Sequence, residues 1–138
     1  MSLMHFEDAL YLLKGGQKIT RDGWIGVDLD GTLAHYDGWK GLEHIGEPVP
    51  AMVERVRQWL QDGKRVKIMT ARVWSDGSMA RNREVYIATK HIHNWCFEHL
   101  GCVLEVTCQK DFGMVELWDD RCVRVVANTG EPCCALVG

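Results

Sequence analysis

The chain has 138 residues, a formal net charge of −3, 46% hydrophobic residues and 25% charged residues. A disordered chain would contain fewer apolar residues, and a collagen-like or low-complexity chain would show repeats or an excess of glycine and proline. The mildly acidic charge gives no electrostatic basis for non-specific binding to nucleic acid. One folded domain is expected, because domains commonly contain about 100–150 residues.

The cysteines and the apolar runs predict where the protein resides. The six cysteines form no C-x-x-C pair, so the usual spacings of zinc knuckles and thioredoxin-like sites are absent. No secretory leader is recognised, and no apolar run approaches the ~20 residues that span a bilayer. We therefore expect reduced thiols, a cytoplasmic location and no membrane partner.

The predicted elements begin with a short amphipathic helix over residues 5–13, whose apolar positions recur with helical spacing. Residues 1–3 resemble the remnant of an expression vector. Residues 1–23 are therefore expected to consist of this remnant and a short helix. We expect the helix to pack on a domain formed by residues 24–138.

Strands and helices alternate along that domain. A first strand over residues 24–29 is followed by a glycine-containing, aperiodic loop over residues 34–48. The hydrophobic pattern then predicts a helix from residue 49 that ends near the Asp62-Gly63 pair, a strand over 65–70, a loop over 71–78, a helix over 79–100, and strands over 103–107, 115–118 and 123–126. This order favours an α/β fold with a mostly parallel sheet and crossover helices.

Acidic residues are concentrated at two predicted strand ends. Asp28 and Asp30 lie at the end of the first strand, and Asp119 and Asp120 follow a later one. Because ligands of open α/β sheets bind outside the carboxyl ends of the strands, these carboxylates are expected to converge. Clustered carboxylates repel one another, and a hard cation such as Mg²⁺ relieves that repulsion.

The residues at these strand ends resemble the four motifs of the haloacid dehalogenase (HAD) superfamily. Residues 27–33 (Val-Asp-Leu-Asp-Gly-Thr-Leu) resemble the first motif, D-x-D-G-T, and residues 68–72 (Ile-Met-Thr-Ala-Arg) resemble the second. Lys110 matches the third motif, and residues 118–121 (Trp-Asp-Asp-Arg) match the fourth. The resemblance covers about residues 24–126 and implies a three-layer, Rossmann-like core that hydrolyses phosphate esters through an aspartyl-phosphate, with Mg²⁺ as cofactor.

The resemblance also implies a role for each matching residue. Asp28 is the implied nucleophile and Asp30 the implied general acid and base. Lys110 is the implied cation that neutralises charge on Asp28 and the phosphate. The implied Mg²⁺ site consists of Asp28, Asp30 through its backbone carbonyl, Asp119, and Asp120 as a second ligand or an outer support. The implied phosphate-binding and substrate-binding residues are Gly31, Thr32, Thr70, Ala71 and Arg72.

The intervals between the motifs are too short for a sizeable cap domain. A capless HAD core resembles small phage and bacterial proteins near the nucleotidases and polynucleotide phosphatases, so the expected substrate is a nucleotide, a polynucleotide end or another phosphomonoester. An open site of this kind also goes with homo-oligomers that cover it from a neighbour. A binding or regulatory protein with little turnover, and a phosphotransferase, remain alternatives.

Several aromatic and basic residues lie next to these motifs. Trp39 and Trp74 occupy the loops that follow the first two motifs, where stacking on a substrate base and local packing are both open, with packing favoured. For Arg72, Arg81 and Arg83, contact with a second phosphate and a solvated position at the start of a helix are both open, and Arg72 is the foremost candidate for phosphate contact.

Overall fold

The computed structural model describes residues 23–133. Four parallel strands form one sheet in the order β3-β2-β1-β4, namely β1 (Trp24–Asp28), β2 (Arg65–Met69), β3 (Glu105–Thr107) and β4 (Met114–Trp118). Helix α1 (Pro50–Gln61) connects β1 to β2, and helix α2 (Met79–Leu100) connects β2 to β3. The predicted α/β fold with a parallel sheet is confirmed. The helix predicted over residues 5–13 lies outside the described residues.

Local sequence features fix the ends of the two helices. Pro50 occupies the first turn of α1, where a missing backbone N–H costs nothing. The Ser78 side chain accepts a hydrogen bond from the backbone N–H of Arg81 and so caps the start of α2. Gly101 ends α2 in the left-handed conformation, with φ 83°. The sequence therefore dictates where the crossover helices start and stop.

The hydrophobic core lies between the helices and one face of the sheet. Alternate residues of β1 and β2 point to this face, and they form a single buried cluster with apolar residues of both helices, including Val27, Ile68, Val56 and Ile92. Within the described residues the two helices thus make one layer over the sheet. A third layer, which the HAD resemblance implied, is not seen in this part of the chain.

The last predicted strand, over residues 123–126, is wrong. Val125 forms only an isolated antiparallel bridge with Pro132, around a turn in which Asn128 has a φ of 66°. The valines of this segment are exposed, so the segment is not held by packing against the core. The strand predicted from residue 103 also starts two residues later, at Glu105.

A short connection over residues 108–113 joins β3 to β4, which lie at opposite edges of the sheet. Asp111 holds this connection on β1, since it accepts hydrogen bonds from the Trp24 indole N–H and from the backbone N–H of Gly113, each at 2.8 Å. Its carboxylate also lies 3.8 Å from Lys67 Nζ. The chain can therefore place β4 beside β1 without a further crossover helix.

No further folded domain lies between the motifs in residues 23–133, which agrees with the expectation of a core without a sizeable cap. In the same part of the chain, neither helix is apolar enough over a sufficient length to cross a membrane.

Candidate functional site

A cleft of about 350 Å³ lies at the carboxyl ends of β1, β2 and β4. This is the edge at which ligands of parallel sheets bind. The residues that line the cleft come from the three strand ends and from the loop over residues 34–48: Asp28, Asp30, Tyr36, Trp39, Leu42, Thr70, Ala71, Arg72, Arg81, Asp119, Asp120 and Arg121. Most of the residues proposed from the sequence are among them.

Three carboxylates converge on one side of the cleft. Asp28 ends β1, while Asp119 and Asp120 directly follow the neighbouring strand β4. One carboxylate oxygen from each residue lies within 4.8 Å of the other two. The Thr32 hydroxyl lies 3.3 Å from Asp28 Oδ2 and 3.4 Å from Asp120 Oδ1, so it bridges the two strand ends.

The turn after β1 brings Asp120 close to the backbone. Gly31 has a φ of +95°, a conformation that side chains rarely adopt. A Cβ atom at this position would lie 2.6 Å from Asp120 Oδ2. Glycine is required here both for the turn and for the approach of the Asp120 carboxylate.

Burial, and then the charge of Asp119 and Asp120, raise the pKa of Asp28 to about 7. The protein thus holds a proton near neutral pH on a carboxyl group that would lose it in water. A divalent cation can replace this proton and neutralise all three carboxylates at once. Because carboxylate oxygens are the ligands that Mg²⁺ prefers, Asp28, Asp119 and Asp120 fit such an ion and would hold it.

Asp30 does not belong to this acidic group, because its side chain is paired with Arg72. Arg72 Nε lies 2.8 Å from Asp30 Oδ2, and Arg72 Nη2 lies 2.8 Å from Oδ1. The Arg72 side chain is only 5% exposed and that of Asp30 19% exposed. Such a bidentate, largely buried ion pair fixes the direction of both side chains. The predicted metal contact of Asp30, through its backbone carbonyl, stays a prediction.

Arg72 also holds the loop over residues 34–48 against the site. Its guanidinium donates hydrogen bonds to the carbonyl oxygens of Leu42, at 3.3 Å, and His44, at 2.9 Å. The Trp39 ring packs on the same guanidinium, with 4.8 Å between the ring centroid and Cζ. The sequence marked Arg72 as a phosphate contact, whereas the structure shows it engaged by protein groups.

Thr70 is suited to bind an anion in the cleft. It follows β2, is 3% exposed, and accepts a hydrogen bond from the backbone N–H of Arg72 through Oγ1. Its own hydroxyl proton has no acceptor among the described residues, so it can donate to a ligand in the cleft. Ala71 also lines the cleft, whereas Gly31 and Thr32 lie beside it and contact the acidic group.

Lys110 is not brought to the site. It is exposed, it does not line the cleft, and it forms no ion pair with any residue in 23–133. Its predicted catalytic role therefore rests on the resemblance alone. The cations that do line the cleft are Arg72, Arg81 and Arg121.

The side chains of Arg81 and Arg121 differ in the hydrogen bonds and ion pairs that they form. Arg81 donates to the carbonyl oxygens of Trp74 and Arg72 and pairs with Glu84 at 3.0 Å, so its guanidinium is largely engaged. Arg121 is exposed, and its side chain has no hydrogen bond or ion pair with the described residues. It is the cation best placed to meet an incoming anion. Its position directly after Asp119-Asp120 is the sequence feature that could have identified it.

Comparison with known proteins does not assign a family. No protein-family model matches the chain, and no curated protein matches it. Among solved structures, the chain is similar to a conserved protein from Bacteroides thetaiotaomicron, with 21% identity, coverage of 72% of this chain and 77% of that chain, and a TM-score of 0.47. The functional interpretation therefore depends on the residues of this chain.

Proposed function

We propose that the protein is a Mg²⁺-dependent phosphomonoester hydrolase that works through an aspartyl-phosphate on Asp28. The observation that carries the proposal is the convergence of Asp28, Asp119 and Asp120 within 4.8 Å, in a cleft that Thr70 also lines. Phosphoryl transfer needs mainly positioning and charge neutralisation, and these residues supply both. The ordered HAD-like motifs are consistent with this arrangement.

Each group has a defined task in the proposed site. Asp119, Asp120 and Asp28 hold Mg²⁺, which neutralises charge on the phosphoryl oxygens when it is bound. The Thr70 hydroxyl donates a hydrogen bond to one phosphoryl oxygen. Arg121 lies on the lining of the same cleft and supplies a further positive charge to the ester.

Two displacements at phosphorus complete the reaction. An Asp28 oxygen forms a bond to phosphorus while the ester oxygen departs, and the departing alkoxide takes a proton from Asp30. Water then attacks the phosphorus of the aspartyl-phosphate, gives a proton to Asp30, and releases inorganic phosphate and the Asp28 carboxylate. Before the first displacement, one Asp30 oxygen must lose its hydrogen bond from Arg72 and become protonated.

The proposal is tested by the hydrolysis of p-nitrophenyl phosphate. We expect turnover that requires Mg²⁺, that stops with a chelator, and that falls by at least about 1,000-fold in Asp28→Asn. Asp37→Asn is the matched control, because Asp37 is an exposed aspartate that does not line the cleft. Turnover of Asp28→Asn equal to that of the parent would overturn the proposal.

Two observations favour a second candidate, a binding or regulatory protein with little turnover. Both oxygens of Asp30 are engaged by Arg72, and Lys110 lies outside the cleft. Such a protein would bind a phosphate ester with Mg²⁺ but would not hydrolyse it. Ester binding without release of inorganic phosphate would favour this candidate over the hydrolase.

A further inference from the structure

We infer that Tyr36 and Trp39 form an aromatic subsite that binds the planar base of a nucleoside monophosphate whose phosphate lies at Asp28. This inference rests on the proposed function and names the substrate class. Both rings belong to the lining of the cleft. Together with Leu42, they give the wall formed by the loop over residues 34–48 an aromatic and apolar character.

Both rings are partly exposed, and both line the cleft. Tyr36 is 45% exposed and Trp39 is 56% exposed, although both lie in a concave site. Trp39 packs locally on Arg72, and more than half of its surface still stays exposed. Covering this area with a planar group removes apolar surface from water and adds a stacking contact.

Trp39 is held in place before any ligand arrives. Its ring lies on the guanidinium of Arg72, which is itself fixed by Asp30 and by carbonyl groups of the loop. The loop is joined to the core by the Trp95 indole N–H, which donates to the carbonyl oxygen of Gly46 at 2.9 Å. A ring fixed on one side and exposed on the other loses little freedom when a base stacks on it.

The composition of the cleft also fits this ligand. Its lining combines the acidic group and Thr70, which suit Mg²⁺ and a phosphate group, with the two aromatic rings. The cleft volume of about 350 Å³ lies within the range of small-molecule sites, which are about 300–1,000 Å³. The cleft can therefore take a phosphate and a planar base together.

A second tryptophan provides a matched comparison. Trp74 is 50% exposed and packs on Arg81, as Trp39 packs on Arg72, but it does not line the cleft. Tyr86 is likewise exposed and lies outside the cleft, on α2. Substitutions at these two positions show the effect of removing an exposed aromatic ring that lies outside the cleft.

The test compares the binding of adenosine 5′-monophosphate and ribose 5-phosphate to the full chain with Mg²⁺, by calorimetric titration in an Asp28→Asn background that prevents turnover. We expect the nucleotide to bind at least about 5-fold more tightly, because base stacking contributes about 1–3 kcal/mol. Trp39→Leu and Tyr36→Leu should each weaken nucleotide binding by about 5- to 100-fold and leave ribose 5-phosphate binding unchanged. Trp39→Phe should restore most of the affinity.

The outcomes separate this inference from the proposed function. Trp74→Leu and Tyr86→Leu should bind both esters as the parent does. Equal affinities of the two esters, or no binding of either, would overturn the aromatic subsite. An equal loss for both esters in Trp39→Leu would also overturn it and would show that the ring acts only by supporting Arg72. The proposed hydrolase function is tested separately, and it is wrong if the parent releases no inorganic phosphate from any ester.

Discussion

Among residues 23–133, Asp28 has the carboxyl group whose pKa is raised most by its surroundings. Its pKa is raised from 3.8 to about 7, mainly by burial and then by Asp119 and Asp120. Between about pH 4 and pH 7 the folded state therefore keeps a proton that the unfolded state has lost. By linkage, this residue lowers the stability of the metal-free protein progressively over that range, and the full penalty is present above pH 7.

The Asp28→Asn substitution should reveal this penalty. In a chelator, the variant should match the parent in stability near pH 4 and exceed it by about 1–3 kcal/mol above pH 7, with the lower end reflecting solvent screening. Denaturant unfolding at a series of pH values measures the difference. Asp37→Asn should show no such gain, since Lys40 lowers the pKa of Asp37. A constant difference across pH would contradict the account of Asp28.

Arg72 is the residue that connects the site to the loop over residues 34–48. Arg72→Met leaves the Asp30 carboxylate without its partner and two loop carbonyls without a donor. We expect a loss of about 2–4 kcal/mol in unfolding free energy, because breaking a largely buried ion pair is costly. Arg81→Met is the matched control and should cost less, since its ionic partner Glu84 is exposed. Equal losses in the two variants would show that the Asp30 pair contributes little.

The sequence predicted the position of a site residue only where the preceding strand determines that position. Asp28, Asp119 and Asp120 were expected together, because each follows a strand and parallel strands end at one edge. The pairing of Arg72 with Asp30 was not expected, since it depends on how the loop folds back over the site. The same holds for Tyr36 and Leu42, which lie in a segment with no hydrophobic period.

At the scale of elements, the turn from β1 into the following loop determines the geometry of the acidic group. Gly31 and Gly63 both have positive φ values, +95° and +80° respectively, but only Gly31 has a neighbouring atom where a Cβ would lie. Replacing either glycine by alanine should therefore cost about 1–2 kcal/mol of backbone strain. Only Gly31→Ala would also displace Asp120.

We therefore expect Gly31→Ala to reduce the apparent affinity for Mg²⁺ by at least about 10-fold and Gly63→Ala to leave it unchanged. Thermal unfolding measures the shared strain, and a Mg²⁺ titration measures the separate effect. The account of the turn is wrong if both variants bind Mg²⁺ like the parent.

Most helices and strands could be predicted because the hydrophobic pattern of each segment fits only one type of secondary structure. The helix stripe of α1 and the buried runs of β1 and β2 were predicted within one or two residues of their bounds. Residues 123–126 carry the same valine-rich pattern but form no strand. Hydrophobic periodicity and composition identify a segment that could join a sheet. Whether it does so depends on a neighbouring strand to pair with and an apolar surface to pack against.

For the whole molecule, the strand order is what assembles the site. β1 lies between β2 and β4, so Asp28 is flanked by Thr70 on one side and by Asp119 and Asp120 on the other. The sequence predicted that these residues share an edge of the sheet, but not that the short connection over residues 108–113 reaches the opposite side. That path depends on the contacts of Asp111 with Trp24 and Lys67, which are distant in sequence.

The central claim is that Asp28 receives the phosphoryl group. The most direct measurement is to mix the protein with Mg²⁺ and a phosphate ester, stop the reaction with acid during turnover, and map phosphorylation by peptide mass spectrometry. The account predicts one added phosphoryl group on the peptide that contains Asp28, and none in Asp28→Asn. Hydrolysis with no phosphorylated peptide, or with the group on another residue, would contradict it.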